Sequence, residues 1–319
     1  MGFNCGIIGL PNVGKSTIFN ALSKAGAQTA NYPFCTIEPN KGIVVVPDDR
    51  LKKIAGILKK ERPIPTKIEF IDVAGLVRGA SKGEGLGNKF LGHIRNVEAV
   101  IHVVRCFKNA DVAHVTGDID PVRDIEIINT ELGLADLDIM EKAREKIMKL
   151  ARSGDKPARK KTELLEKLIL HLNSGNLLNS LHLENEENES VREYGLITIK
   201  PMLYLANADE NSLDSPELKI IREYAQKQKS QFAALSGKLE EEISELPDEE
   251  KQEYLDTLGL KEPGFNRLVR SAYKLLNLIT YYTNATELQA WTIRDGTTAV
   301  KAAGKIHSDF DRRNYCRRL

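Results

Sequence analysis

The stretch Gly9-Leu10-Pro11-Asn12-Val13-Gly14-Lys15-Ser16 has the pattern G-x-x-x-x-G-K-S, which is typical of a phosphate-binding loop. Residues 3–8 before it are apolar enough for a buried strand, and residues 17–26 after it carry apolar side chains at helical spacing. Strand, loop and helix in this order are the context that the motif requires. We therefore expect the phosphates of a nucleotide here, bound by Asn12, Val13, Gly14, Lys15, Ser16 and Thr17.

A second motif, Asp72-Val73-Ala74-Gly75, begins where the apolar strand predicted over residues 67–71 ends. In P-loop enzymes an Asp at this place helps to hold Mg²⁺, and the Gly75 N–H can bind the γ-phosphate. The Ser16 hydroxyl shares the metal with that Asp, while the Lys15 ammonium reaches the β- and γ-phosphates. We therefore predict Mg²⁺ as a cofactor, held by Ser16 and Asp72.

Thr36 is a third candidate ligand for the metal. It lies between the helix that follows the phosphate loop and a strand predicted over residues 42–46. GTPases keep their first switch at this place, and contacts with the γ-phosphate and Mg²⁺ order it. An ordinary loop threonine is the alternative.

The motif that would recognise the base departs from the guanine pattern N-K-x-D. A strand predicted over residues 202–206 is followed by Asn207-Ala208-Asp209-Glu210, so Glu210 replaces the usual aspartate. The longer Glu210 side chain cannot occupy the same place, and adenine lacks the two N–H donors that the aspartate would bind. We therefore expect ATP to bind more tightly than GTP; a GTPase with a relaxed base motif is the alternative. The predicted base-binding residues are Asn207, Ala208, Glu210, Ser236 and Gly237.

The position that orients the attacking water in many GTPases is Leu76, which can neither donate nor accept a hydrogen bond. His114 follows a loop-like segment and is the candidate for this role, with a plain loop histidine as the alternative. A monovalent cation such as K⁺ near Asn12 is a further way to stabilise charge. We assign catalytic roles to Lys15, Gly75 and His114, in an in-line attack of water on the γ-phosphate.

The middle of the chain is predicted to be helical. Apolar residues recur at threes and fours over residues 122–150, and a second helical run, 158–172, follows a Gly- and Pro-containing break. This pattern predicts an antiparallel coiled-coil hairpin. Residues 142–161 contain nine basic residues and two acidic ones. Such a tip can contact the phosphates of a ribosome or of structured RNA, with a solvated helix face as the alternative.

The composition fits an intracellular enzyme. Lys and Arg total 46 against 45 for Asp and Glu, and the four cysteines show no metal-binding spacing. No apolar run approaches membrane length, and no signal peptide is visible. We expect a cytoplasmic protein that does not associate with membranes and is a monomer.

Together these motifs resemble the Obg-like ATPase family, also called YchF, in the Obg group of P-loop proteins. The resemblance implies a nucleotide domain, a helical insertion and a C-terminal TGS domain, which is a small ubiquitin-like sheet. It also implies hydrolysis of ATP in preference to GTP and association with ribosomes or RNA. The matching segments are residues 1–3, 9–17, 31–40, 72–91, 102–107, 129–138, 263–278 and 290–292.

We therefore predict an α/β fold of the P-loop NTPase, Ras-like G-domain type, with a helical coiled-coil insertion and a partial β-grasp, TGS-like C-terminus. The predicted division is residues 1–120 with 196–277 for the nucleotide domain, 121–195 for the hairpin and 278–319 for an incomplete TGS-like domain. The expected function is that of a nucleotide-dependent switch that hydrolyses ATP on ribosomes. Two alternatives are a nucleotide-gated binding module with negligible turnover and a structural RNA-binding protein with a relic P-loop.

Overall fold

The structure is a computed structural model that describes residues 3–29, 40–73, 86–107, 119–210 and 215–307. No helix within these ranges is both long enough and apolar enough to cross a membrane. The strands are β1 (Asn4–Ile8), β2 (Lys41–Val45), β3 (Lys67–Asp72), β4 (Ala99–Cys106), β5 (Met202–Ala208), β6 (Gln231–Leu235), β7 (Leu278–Asn284) and β8 (Leu288–Arg294). The helices are α1 (Lys15–Thr29), α2 (Asp49–Leu58), α3 (Leu86–Arg95), α4 (Pro121–Arg152), α5 (Lys156–Asn173), α6 (Asn185–Arg192), α7 (Pro216–Lys227), α8 (Gly237–Glu245), α9 (Asp248–Thr257), α10 (Gly264–Leu275) and α11 (Ala299–Ile306).

Six strands form one sheet in the order β2-β3-β1-β4-β5-β6. All neighbours are parallel except β2, which runs antiparallel to β3. β5 is buried along its whole length, and so is β4 apart from its last residue, as expected for parallel strands that helices cover on both faces. This arrangement confirms the predicted α/β, P-loop type of fold, and it brings the carboxyl ends of β1, β3, β4 and β5 to one edge.

The main core lies between this sheet and the helices on its two faces. Apolar side chains of β1, β4 and β5 pack with those of α1, α4, α7 and α10 in one continuous cluster. Ile18 of α1 and Ile101 of β4 are fully buried within it. Because α1 begins at the end of the phosphate loop, this packing fixes the position of the loop on the sheet.

The predicted helical hairpin is present as α4 and α5. Asp120 and Asp155 cap the two helices by accepting backbone N–H groups, those of Arg123 at 3.1 Å and Ala158 at 2.8 Å. The outer part of the hairpin has its own apolar cluster, which includes Met140 of α4. The hairpin therefore does not depend on the sheet for all of its packing.

A single buried carboxylate anchors α4 to the segment that leads back to β5. Asp136 is fully buried and accepts the Thr198 N–H and hydroxyl, each at 2.7 Å, and the Ile197 N–H at 2.9 Å. Burial raises the pKa of Asp136 in spite of these donors. The contact fixes the hairpin where it leaves the sheet.

The C-terminal hairpin of β7 and β8 packs against the connection between β2 and β3. The Ile64 N–H donates to the Leu288 carbonyl and the Ala290 N–H donates to the Ile64 carbonyl, both at 2.8 Å. The Tyr282 hydroxyl also donates to Asp48, the residue that caps α2. Two backbone bonds and a side-chain bond thus join the C-terminal hairpin to the main sheet.

His102 is a buried histidine in the middle of β4. It is 1% exposed, and its ring centroid lies 5.5 Å from that of Tyr204 on β5. Burial lowers the pKa of His102 to about 3, because the charged ring would lose its hydration. His102 is therefore a neutral structural residue.

This burial predicts a loss of stability in mild acid. The unfolded chain binds a proton at His102 below pH 6.5 and the folded chain does not, so stability is lost as the pH falls through this value. We expect protonation of His102 in the unfolded chain to lower the free energy of unfolding by about 2 kcal/mol as the pH falls from 7 to 5. Urea titrations of the wild type and of His102→Gln at both pH values will measure it. The variant should lose about 2 kcal/mol less than the wild type over this interval.

The matched control is His182→Gln, because the His182 side chain is 86% exposed. This control should show the same pH dependence as the wild type. An equal loss of stability in His102→Gln and in the wild type would contradict the account.

Candidate functional site

A cleft of about 1020 Å³ lies at the carboxyl edge of the six-stranded sheet. Its walls come from the loop between β1 and α1, the ends of β3 and β5, the residue after β4, and the start of α8. Nine of the predicted site residues line it together: Asn12, Gly14, Lys15, Ser16, Thr17, Asp72, Asn207, Ala208 and Ser236.

The loop between β1 and α1 has the backbone that its sequence requires. Asn12 and Gly14 both adopt left-handed conformations, with φ of 63° and 86°. A Cβ atom on Gly14 would lie 2.2 Å from Nδ2 of Asn207, so a side chain cannot be accommodated there. Helix α1 begins at Lys15, and the N–H groups of its first turn form the kind of site that binds anions.

Lys15 and Asp72 form an ion pair inside the cleft. Their side chains are 10% and 15% exposed, respectively, and the Lys15 ammonium donates to Oδ1 of Asp72. Asp72 is placed by the pairing of β3 with β1, where it lies beside Ile7. Ser16 lines the same cleft, so a hydroxyl and a carboxylate are available together, and oxygen ligands of this kind suit Mg²⁺.

The Asn207 side chain joins two loops that are distant in sequence. Its amide nitrogen donates to the Val13 carbonyl at 3.0 Å, and its amide oxygen accepts the Gly237 N–H at 2.9 Å. The residue is 5% exposed, so both bonds are shielded from water. Val13 and Gly237 therefore take part through their backbone groups, which hold Asn207 in place.

The remaining predicted residues fall into two groups. Glu210 is described, but it does not belong to the wall of the cleft; the preceding residue, Asp209, does. The physical reason is that β5 ends at Ala208, so the alternation of a strand does not fix which of the two following side chains lies at the cleft. Gly75, Thr36 and His114 lie outside the described residues.

Phe107 is a cleft residue that the sequence analysis missed. It follows β4 directly and lines the cleft close to Gly14. The buried Arg105 supports it: Nε of Arg105 donates to the Phe107 carbonyl at 3.2 Å, and the guanidinium carbon lies 4.6 Å from the centre of the ring. Its place at the end of a central parallel strand was the available signal, because ligands of such sheets bind at this edge. Lys238 and Glu241 of α8 were missed as well.

Two family models match this chain. A model described as a 50S ribosome-binding GTPase matches residues 4–150. A model of the C-terminal part of YchF proteins, described as a protein of unknown function, matches residues 278–317. The first match covers β1 to β4 with most of α4, and the second begins at β7.

Two similar proteins and one similar structure extend nearly the whole length of the chain. The ribosome-binding ATPase YchF of Haemophilus influenzae is 52% identical over 314 residues, which are 98% of this chain and 86% of that protein. The protein of the same name from Bacillus subtilis is 48% identical over 317 residues, covering 98% and 87% of the two chains. The structure of the YchF GTPase of Schizosaccharomyces pombe superposes with a TM-score of 0.86 at 35% identity, covering 97% of this chain and 85% of that one.

Proposed function

Because the chain belongs to the YchF family, we propose that it is a Mg²⁺-dependent nucleotide hydrolase that converts ATP to ADP and phosphate in preference to GTP. The observation that carries this proposal is the cleft that brings Lys15, Ser16, Asp72 and Asn207 together. The bacterial relatives are named ribosome-binding ATPases, which supports ATP as the substrate.

At the phosphate end, Lys15 neutralises the negative charge that develops on the γ-phosphate and on the leaving β-phosphate. The Ser16 hydroxyl and the Asp72 carboxylate would hold Mg²⁺, with Thr36 as a third ligand; the bound ion supplies Lewis-acid stabilisation of the phosphate oxygens. Lys15 and Asp72 contact each other directly, so binding of the metal and the triphosphate must separate this pair. A K⁺ ion near Asn12 would add positive charge, and turnover in K⁺ compared with Na⁺ would test it.

The attacking water needs a group that orients it. Leu76 offers no hydrogen bond, so we assign this role to His114, and we assign contact with the γ-phosphate to the Gly75 N–H. If His114→Ala turned over as fast as the wild type, His114 would have no part in the mechanism.

At the base end, we propose that the Phe107 ring stacks on a purine and that Asn207, Ala208 and Ser236, which line the same cleft, contact the purine edge. A second candidate function, a GTPase, is favoured by the family model and by the yeast structure, both of which are named for GTP. The two candidates share the phosphate end of the cleft and differ in the groups that face the base.

Phosphate release from ATP and from GTP will test the hydrolase proposal. We expect kcat/KM for ATP to exceed that for GTP at least tenfold. Lys15→Ala should lower kcat for ATP by about 100-fold, because a preorganised charge on the transition state is lost. EDTA should abolish turnover.

The matched control is Lys24→Ala. Lys24 is also on α1, but it is half exposed and pairs with Glu245 at 2.9 Å, away from the cleft wall. We expect turnover within twofold of the wild type. Equal rates for Lys15→Ala and Lys24→Ala would refute the assignment of Lys15.

We also propose that the tip of the α4–α5 hairpin binds the phosphate backbone of ribosomal RNA. Two of its cations are paired with acids, Lys142 with Asp138 and Lys161 with Glu193, each at 2.7 Å. Six others are exposed and make no ion pair within the described residues. These six are Lys146, Lys149, Arg152, Lys156, Arg159 and Lys160. Unpaired cations can exchange their counterions for phosphates, which favours association with RNA.

Charge reversal at the tip will test this surface. The triple variant Lys149→Glu, Arg152→Glu, Lys156→Glu should weaken co-sedimentation with ribosomes at least tenfold at about 0.1 M salt and reduce its salt dependence. ATPase activity without ribosomes should not change.

The matched control replaces three exposed lysines elsewhere, Lys52, Lys53 and Lys227, by Glu. Its net charge therefore changes by the same amount as that of the tip variant. It should retain most of the binding. If both triple variants lost binding to the same extent, the attraction would be a property of net charge and the tip would not be the binding surface.

The arrangement of elements supports the predicted division of the chain. We propose residues 1–120 with 196–277 as the nucleotide domain, 121–195 as an insertion between β4 and β5, and 278–319 as a TGS-like part. In this proposal the protein acts in the cytoplasm as a monomer, and sedimentation velocity of the purified chain would show a dimer if it formed one.

A further inference from the structure

The two carboxylates that follow β5 face different surroundings. Asp209 lines the cleft, whereas Glu210 is not among the residues that line it. The third position of the base motif is therefore available to a molecule in the cleft, and the fourth position is not part of its wall.

The neighbouring Asn207 has little capacity left to accept hydrogen bonds. Its amide oxygen already accepts the Gly237 N–H, and one of its amide hydrogens binds the Val13 carbonyl. The second amide hydrogen can serve an acceptor on the base, such as N7 of a purine. An amino group on the base needs an acceptor from another residue.

The other charged groups at this end of the cleft come from α8. The Lys238 side chain is 83% exposed and lies 3.9 Å from Glu242 on its own helix. Glu241 lines the cleft one turn further along α8. Asp209 is only two residues from Asn207, the residue proposed to contact the purine edge. Of the carboxylates that line the cleft at this end, it is the one nearest to Asn207 in the sequence.

We propose that the Asp209 carboxylate determines base specificity by accepting a hydrogen bond from the 6-amino group of adenine. A carboxylate favours an amino group at this position through a charge-assisted hydrogen bond and repels the carbonyl oxygen that guanine carries there. Guanine would instead need a protein acceptor further along the purine edge, opposite its N1–H and its 2-amino group. Glu210, which replaces the usual aspartate, would be the residue to supply that acceptor, and it does not line the cleft.

This inference rests on the proposed function, because it assumes that the cleft binds a purine nucleotide. It is specific to the third residue of the motif, and it explains how a chain without the usual aspartate can still discriminate between purines. The exposed position of Asp209 also means that its replacement should leave the fold intact.

Calorimetric titration with Mg²⁺ and three nucleotides will test it: ATP, GTP and purine riboside 5′-triphosphate, which has hydrogen in place of the 6-amino group. We expect Asp209→Ala to weaken ATP binding about tenfold and to leave the affinity for purine riboside triphosphate unchanged. The wild type should itself bind purine riboside triphosphate about tenfold more weakly than ATP. The matched control, Glu210→Ala, should bind all three nucleotides as the wild type does.

Unchanged ATP affinity in Asp209→Ala would overturn the proposal, and so would a loss confined to GTP, because the carboxylate would then recognise guanine. The result is separable from the proposed preference for ATP. If the wild type bound GTP more tightly, yet Asp209→Ala selectively weakened ATP, the role of Asp209 would stand and the preference would not.

Discussion

The buried Asn207 amide is the interaction on which the candidate site depends. It bonds to Val13, 194 residues earlier, and to Gly237, 30 residues later, so one side chain joins the phosphate loop to the loop after β6. Without it, a buried carbonyl and a buried N–H would lose their partners, at a cost of about 1–3 kcal/mol each. The parallel order β1-β4-β5-β6 places all three residues at the same edge, and Gly14 leaves the space that the amide fills.

Two hairpins, α4–α5 and β7–β8, join the main sheet beside strands whose ends carry site residues. The α4–α5 hairpin lies between β4 and β5, which lead to Phe107 and Asn207. The C-terminal hairpin is bonded to the connection between β2 and β3, and β3 ends at Asp72. The cleft and the two hairpins are therefore connected through strands of the main sheet.

Much of the fold could be predicted from the sequence because its signals are local. Apolar runs marked four of the six strands of the main sheet, β1, β2, β3 and β5, and the glycine-rich motif after β1 marked the phosphate loop. The base end could not be predicted in the same way. Asp209 and Glu210 follow the end of β5, so strand alternation does not decide which of them lines the cleft. Tertiary register decides that Asn207 meets Val13 and Gly237. Phe107 enters the site only because β4 lies between β1 and β5.

Amide hydrogen exchange at Gly237 tests most directly whether Asn207 holds the two loops together. It should be measured by NMR on the wild type and on Asn207→Ala, both without nucleotide. If the account is right, the Gly237 amide is protected in the wild type and exchanges at least tenfold faster in the variant, while the amide of Leu205 within β5 is unchanged. Equal protection of Gly237 in both proteins would contradict it.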